Sequence, residues 1–131
     1  MTGSGSAALA VMLILLIKHF VCDYPLQSMW MVQNKGTYGH RAGIAHAAIH
    51  AAVTPVAFLV LTPPLFIGLA IMVGEFLVHY HIDVTKEQVL RRRHLTAADS
   101  QFWFALGLDQ LLHQLTYVGI AAILLWASAP A

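Results

Sequence analysis

One cysteine, Cys22, excludes an intramolecular disulfide and any cysteine-only zinc site. Charge is equally scarce: Asp, Glu, Lys and Arg make up 10% of the 131 residues, against roughly 25% in an ordinary soluble domain. A net charge of +1 leaves no dense basic face, so a nucleic-acid partner is not expected. In place of charge the chain carries apolar side chains, 59% of the total, with a mean hydropathy of +0.71. Those values exclude a disordered chain. They also exclude a monomeric water-soluble domain, which at this length would leave too much apolar surface in water.

Crossing a bilayer takes about 20 mostly apolar residues, and four stretches qualify: Ser6 to Asp23, Arg41 to Leu61, Leu65 to Asp83, and Phe102 to Ala127. The predicted fold class is therefore all-α, a single polytopic membrane domain with four transmembrane helices in a bundle. Pro63-Pro64 removes two amide donors and forces a tight turn between spans two and three. Pro55 is expected to kink span two. Leu26, Met29, Trp30 and Met31 recur near helical spacing, which predicts a brief interfacial helix over 25–34.

Lys18, Lys35 and Arg41 flank the first loop, and Lys86, Arg91, Arg92 and Arg93 occupy the third, while the Pro63-Pro64 turn and both ends lack charged side chains. Positive charge stays on the cytoplasmic side, so the expected topology places both termini outside a bacterial cytoplasmic membrane. Trp103 and Trp126 bracket span four about 34 Å apart along the helix, as an aromatic belt requires. Span one reads as a retained helix rather than a signal peptide, because Lys18 and His19 follow the apolar run and no basic region precedes it.

Ionisable residues inside spans are costly and mark function. Eight of them form four pairs, each separated by four residues: His19 and Asp23, His46 and His50, His79 and Asp83, Asp109 and His113. That spacing places both members on one helical face. Alternating span direction then puts Asp23, His46, Asp83 and Asp109 in a shallow layer, with His19, His50, His79 and His113 one turn deeper. KHFVCD at 18–23 aligns with VHYHID at 78–83, and HAAIH at 46–50 with DQLLH at 109–113, so the bundle reads as two repeated helical hairpins.

Five imidazoles with three carboxylates suit a divalent metal, zinc before iron or manganese, and not calcium or magnesium. Three buried carboxylates carry about −3, which two divalent ions with a bridging hydroxide would neutralise. A binuclear centre of this kind activates water in many phosphatases and nucleases. The contrasting expectation is a bundle stapled by interhelical hydrogen bonds.

Glu75, four residues before His79, is the candidate catalytic proton acceptor, or else an interhelical hydrogen-bond partner. Gln27 and Gln110 are placed to orient ligands, Lys18 to snorkel to the head groups, His81 to lie at the interface, and Cys22 to pack. His94 with Arg91, Arg92 and Arg93 reads as a topology anchor, then as a contact for anionic lipid. His40-Arg41 could meet a phosphate at the site mouth, though its topological role explains it as well. Membrane lipid is the expected partner. A bundle this small leaves room for a homodimer, although no residue marks an interface.

HFVCDYPLQ, HAAIHA, HYHID and LDQLLH, in that order, resemble the signatures of a small bacterial and phage integral membrane family catalogued as a domain of unknown function. More distantly, HRAGIAHAAIHA followed by HYHID resembles the membrane-bound, predicted metal-dependent hydrolases. The second resemblance implies metal-dependent hydrolysis. The leading functional expectation is accordingly an intramembrane metalloenzyme acting on a lipid-borne ester or phosphoester. A metal carrier or sensor, a haem or di-iron redox protein, and a non-catalytic bundle are the alternatives.

Overall fold

Two consecutive prolines and a run of small polar residues divide the apolar chain where its helices end. The computed structural model describes residues 3–128. It contains α1 (Gly3–Asp23), α2 (Met29–Asn34), α3 (Arg41–Val53) continued by a 3-10 segment (Thr54–Leu59), α4 (Leu65–Arg92) and α5 (Ser100–Ala127). No strand occurs among the described residues. Four segments, Gly3–Asp23, Arg41–Leu59, Leu65–Arg92 and Ser100–Ala127, are long and apolar enough to cross a membrane.

The element boundaries refine the expected spans. The second ends at Leu59 instead of Leu61, and Pro55 changes the helix type where a kink was expected. Its ring nitrogen cannot donate to the carbonyl four residues back, and the chain tightens into 3-10 geometry. The third span runs on as helix to Arg92, well past Asp83. It stops at His94, whose φ of 52° is the left-handed conformation that closes helices. Leu95 N donates back to Leu90 O at 2.9 Å across that closure. The short helix expected over 25–34 is confined to Met29–Asn34, because Ser28 caps it by accepting from Met31 N at 3.4 Å. His40 caps α3 in the same manner, its Nδ1 accepting from Ala42 N at 3.1 Å. That cap occupies Nδ1 of the imidazole expected to meet a phosphate.

Round the bundle α1 packs on α3, α3 on α4, α4 on α5, and α5 back on α1. The helices carrying the repeated motifs, α1 with α4 and α3 with α5, therefore stand diagonally opposite. That is the pseudo-twofold arrangement of two like hairpins. Large apolar side chains such as Leu59 (85% exposed), Phe66 (77%) and Phe104 (75%) point outward, as a lipid-facing surface requires. Toward the chain termini the interior is an apolar cluster that includes Val11, Leu15, Ile71, Ile120 and Leu124.

At the opposite end the segment after α2 lies against α4. A Cβ at Gly36 would collide with Cβ of Glu87 and come within 3.1 Å of Arg91 Cζ, whereas one at Gly74 meets nothing within 4 Å. The same substitution should therefore have opposite signs. Gly36→Ala is expected to cost about 1 to 3 kcal/mol by overpacking, and Gly74→Ala to add up to about 1 kcal/mol of helix propensity. Thermal unfolding in detergent measures both, and equal losses would refute the close approach at Gly36.

Candidate metal centre

The four-residue spacing extends to a third turn that the pairs alone do not reveal. On α3 the inward column is His46, His50, Thr54; on α4 it is Glu75, His79, Asp83; on α5 it is Asp109, His113, Tyr117. All nine are buried. On α1 the inward groups are Lys18, His19 and Asp23. Asp23 is the most open of the ligand candidates, its side chain 18% exposed.

All eight predicted ligands lie at the charged end of the bundle, four of them as a packed histidine layer. The ring centroids of His50 and His79 are 3.8 Å apart, those of His79 and His113 4.2 Å, and those of His19 and His113 5.0 Å. Toward the loops, His46 Nε2 is 3.3 Å from Asp23 Oδ1 and 3.2 Å from Asp83 Oδ2, bridging opposite helices. His50 Nε2 also reaches Asp23 Oδ1, at 3.1 Å, and His19 Nε2 reaches Asp23 Oδ2 at 3.1 Å.

Two groups of side chains bring one donor atom each to within 4.8 Å of every other: Asp23, His46, His50 and His79, and then His79, Asp83 and His113. His79 is common to both. The remaining two of the eight stand beside these groups. His19 shares a 2.8 Å hydrogen bond through Nδ1 with the Tyr117 hydroxyl. Asp109 Oδ2 accepts from Gln110 Nε2 at 3.0 Å, and Lys86 Nζ lies 3.9 Å from Oδ1.

Eleven buried side-chain nitrogen and oxygen atoms among the described residues have no hydrogen-bond partner. All but Gln27 Oε1 and Ser128 Oγ belong to seven of the eight ligand candidates. Five of these nine, His19 Nε2, His46 Nε2, His79 Nε2, Asp83 Oδ2 and Asp109 Oδ1, still lie in ion-pair range of a neighbour, which leaves His46 Nδ1, His50 Nδ1, His79 Nδ1 and His113 Nε2 with neither kind of partner. Burying polar atoms without partners costs free energy. A hydrogen-bonded staple would satisfy them, whereas a cation ligated by them would use their lone pairs. His113 shows the orientation a ligand needs, because its Nδ1 donates to the Asp109 carbonyl at 2.8 Å and thereby leaves Nε2 as the lone-pair nitrogen.

The charge of the site differs from the sequence expectation. Lys35, from the segment after α2, is buried with Nζ 3.1 Å from Asp83 Oδ2. With Lys86 at Asp109, two of the three carboxylates face an ammonium, and Asp23 faces imidazoles only. Full neutralisation by two divalent ions is therefore not required. Lys18 does not snorkel. It is buried in the third turn, where Nζ pairs with Glu75 and donates to Thr54 Oγ1 at 2.8 Å and to the His50 carbonyl at 3.1 Å. Thr54 Oγ1 also donates to Glu75. Gln27, in the turn after α1, spends its amide on the end of that helix, donating to Asp23 O at 2.6 Å, and His81 is exposed with Nδ1 on the Leu77 carbonyl at 2.7 Å. Tyr117 and Thr54 were accessible to sequence reasoning, each four residues beyond a ligand histidine; Lys35 carried no such signal.

No curated protein and no solved structure matches the chain. One family model does, described as a protein of unknown function (DUF3307), over residues 11–130. That match spans nearly the whole chain, and the chain belongs to the DUF3307 family.

Proposed function

We propose that this protein is an integral metalloprotein of the bacterial cytoplasmic membrane, with both termini outside and the mouth of its His/Asp centre toward the cytoplasm. The observation that carries the reading is the convergence of imidazoles and carboxylates into the two candidate ligand groups, with buried ring nitrogens of His46, His50, His79 and His113 left without a partner. Asp23, His46, His50 and His79 hold the principal ion. His79, Asp83 and His113 offer a second position beside the Lys35 ammonium. Imidazole with carboxylate selects zinc, or else iron or manganese. When bound, such an ion supplies Lewis acidity and brings the pKa of a coordinated water to about 7.

The activity that fits best is hydrolysis of a lipid-borne ester or phosphoester at the cytoplasmic leaflet. Asp23 lies at the open end of the cluster, within reach of substrate from that side. A carrier fits less well, since the third turn is closed by the Lys18–Glu75 pair and the apolar cluster beyond it leaves no polar route across. One observation favours a redox reading instead: the Tyr117 hydroxyl is hydrogen-bonded to His19 at the edge of the centre. Bound iron with a visible absorption band would select it.

Elemental analysis of detergent-purified protein, prepared without chelators, tests the centre. One to two equivalents of zinc, iron or manganese are expected. His79→Ala, which removes the residue common to both groups, should lose them. A parent protein that takes up no metal even when it is supplied overturns the proposal.

A further inference from the structure

Between the charged ends of α4 and α5 the bundle opens into a groove of about 590 Å³. Its walls are apolar where they face the bilayer, through Phe104, Leu108 and Leu112 of α5 and Val89 of α4. Lys86 and Arg93 lie about 10 Å apart along α4 on the same wall. Asp109, the carboxylate that approaches His113 at 3.9 Å, lines the groove as well, so the groove runs up to the candidate metal centre.

Its depth follows from its neighbours. Trp103, at the start of α5, is exposed, and its indole donates to the Ala97 carbonyl at 2.9 Å. Exposed tryptophan at a helix end marks the membrane–water interface. Phe104 is the next residue, so the rim of the groove sits at head-group level and Leu112 about 12 Å deeper. Charge also points one way. Every ion pair among the described residues uses a lysine or a histidine as its cation, which leaves Arg91, Arg92 and Arg93 uncompensated. Arg93 makes a single long contact, 3.5 Å to Gln101 Oε1, and retains donors for a planar or tetrahedral oxyanion.

We infer that the α4–α5 groove seats one anionic phospholipid, with its phosphate at Arg93 and an acyl chain along Phe104, Leu108 and Leu112. Lipid binding stands on the groove alone. Its role as the substrate route to Asp109 rests on the hydrolase reading given above. A volume of this size accommodates one chain and the glycerol region, with the second chain remaining in the bilayer.

Native mass spectrometry of the metal-loaded protein tests the assignment. The protein is stripped in non-ionic detergent and offered phosphatidylglycerol or phosphatidylcholine with identical chains. One retained phosphatidylglycerol is expected, preferred over phosphatidylcholine about fivefold. Arg93→Gln should abolish the preference. Leu108→Trp, which fills the groove at a half-exposed position, should release the lipid while bound metal and the thermal midpoint stay at parental values. Soluble glycerol phosphate should not compete; displacement by it would reassign the site to a free phosphate. Equal retention of the two lipids, or full retention in Leu108→Trp, overturns the inference. A parent without metal that still shows the lipid pattern removes the proposed function and leaves the groove site standing.

Discussion

Glu75→Ala is expected to destabilise the bundle by about 3 to 5 kcal/mol, the cost of leaving one partner of a buried ion pair uncompensated. Lys18, Glu75 and Thr54 are 4%, 2% and 0% exposed, so no water takes the place of the lost carboxylate. Lys18 would keep only Thr54 and the His50 carbonyl as acceptors, two neutral oxygens for a full charge. The His50 carbonyl belongs to a ligand helix, so the disturbance reaches the centre through the backbone. Replacing the pair together, Lys18→Met with Glu75→Leu, should recover most of the loss, because the apolar cluster begins in the next turn. Denaturant titration in mixed micelles measures both. A single variant as stable as the parent would show the pair to be unimportant. The double variant also examines the catalytic expectation for Glu75: retained metal with lost turnover assigns it a role in the reaction, and retained turnover confines it to structure.

Asp23→Ala should empty the principal metal position altogether, while Asp109→Asn should weaken metal binding by no more than about 10- to 100-fold, as for a residue that supports ligands. The two carboxylates look equivalent in the sequence, each four residues from a histidine on an inward face. Their surroundings differ. Asp23 receives Nε2 of His19, His46 and His50 between 3.1 and 3.3 Å and has no lysine. Asp109 faces Lys86 and Gln110 and stands outside both ligand groups. Elemental analysis of the two purified variants decides the matter, and similar metal content in both would mean that the cation sits elsewhere in the cluster.

The four long apolar helices, and the end of the bundle where the eight polar residues lie, were legible because both depend on local rules. Apolar runs measure out a bilayer, and a four-residue spacing fixes a helical face whatever lies opposite. Pro55 was legible as a disruption but not in kind, since kink and 3-10 continuation satisfy the missing donor equally well. The helix α4 outruns the expected span because hydropathy falls at Asp83 while helical geometry continues to Arg92, where His94 can adopt the left-handed closure. Lys18 went astray for a reason special to long side chains: from one backbone position a lysine reaches either the head groups or a buried carboxylate. Which it does depends on Glu75, 57 residues away. Lys35 is a stronger case, because only the fold of the segment after α2 brings it to Asp83.

The apolar cluster of Val11, Leu15, Ile71, Ile120 and Leu124 closes one end of the bundle, so the proposed centre is approached from the other end only. Electrically, a cation entering that centre crosses part of the membrane field and never the whole. A unit charge moved through 100 mV is worth about 2.3 kcal/mol. A divalent ion taken about a quarter of the way therefore gains or loses about 1 kcal/mol per 100 mV, about fivefold in affinity. With the mouth toward a negative interior, as proposed, the ion climbs the field, so an energised membrane loosens its hold on metal and a collapsed potential tightens it. The opposite orientation reverses the sign, which makes the voltage response of metal occupancy a measurement of which way the protein faces.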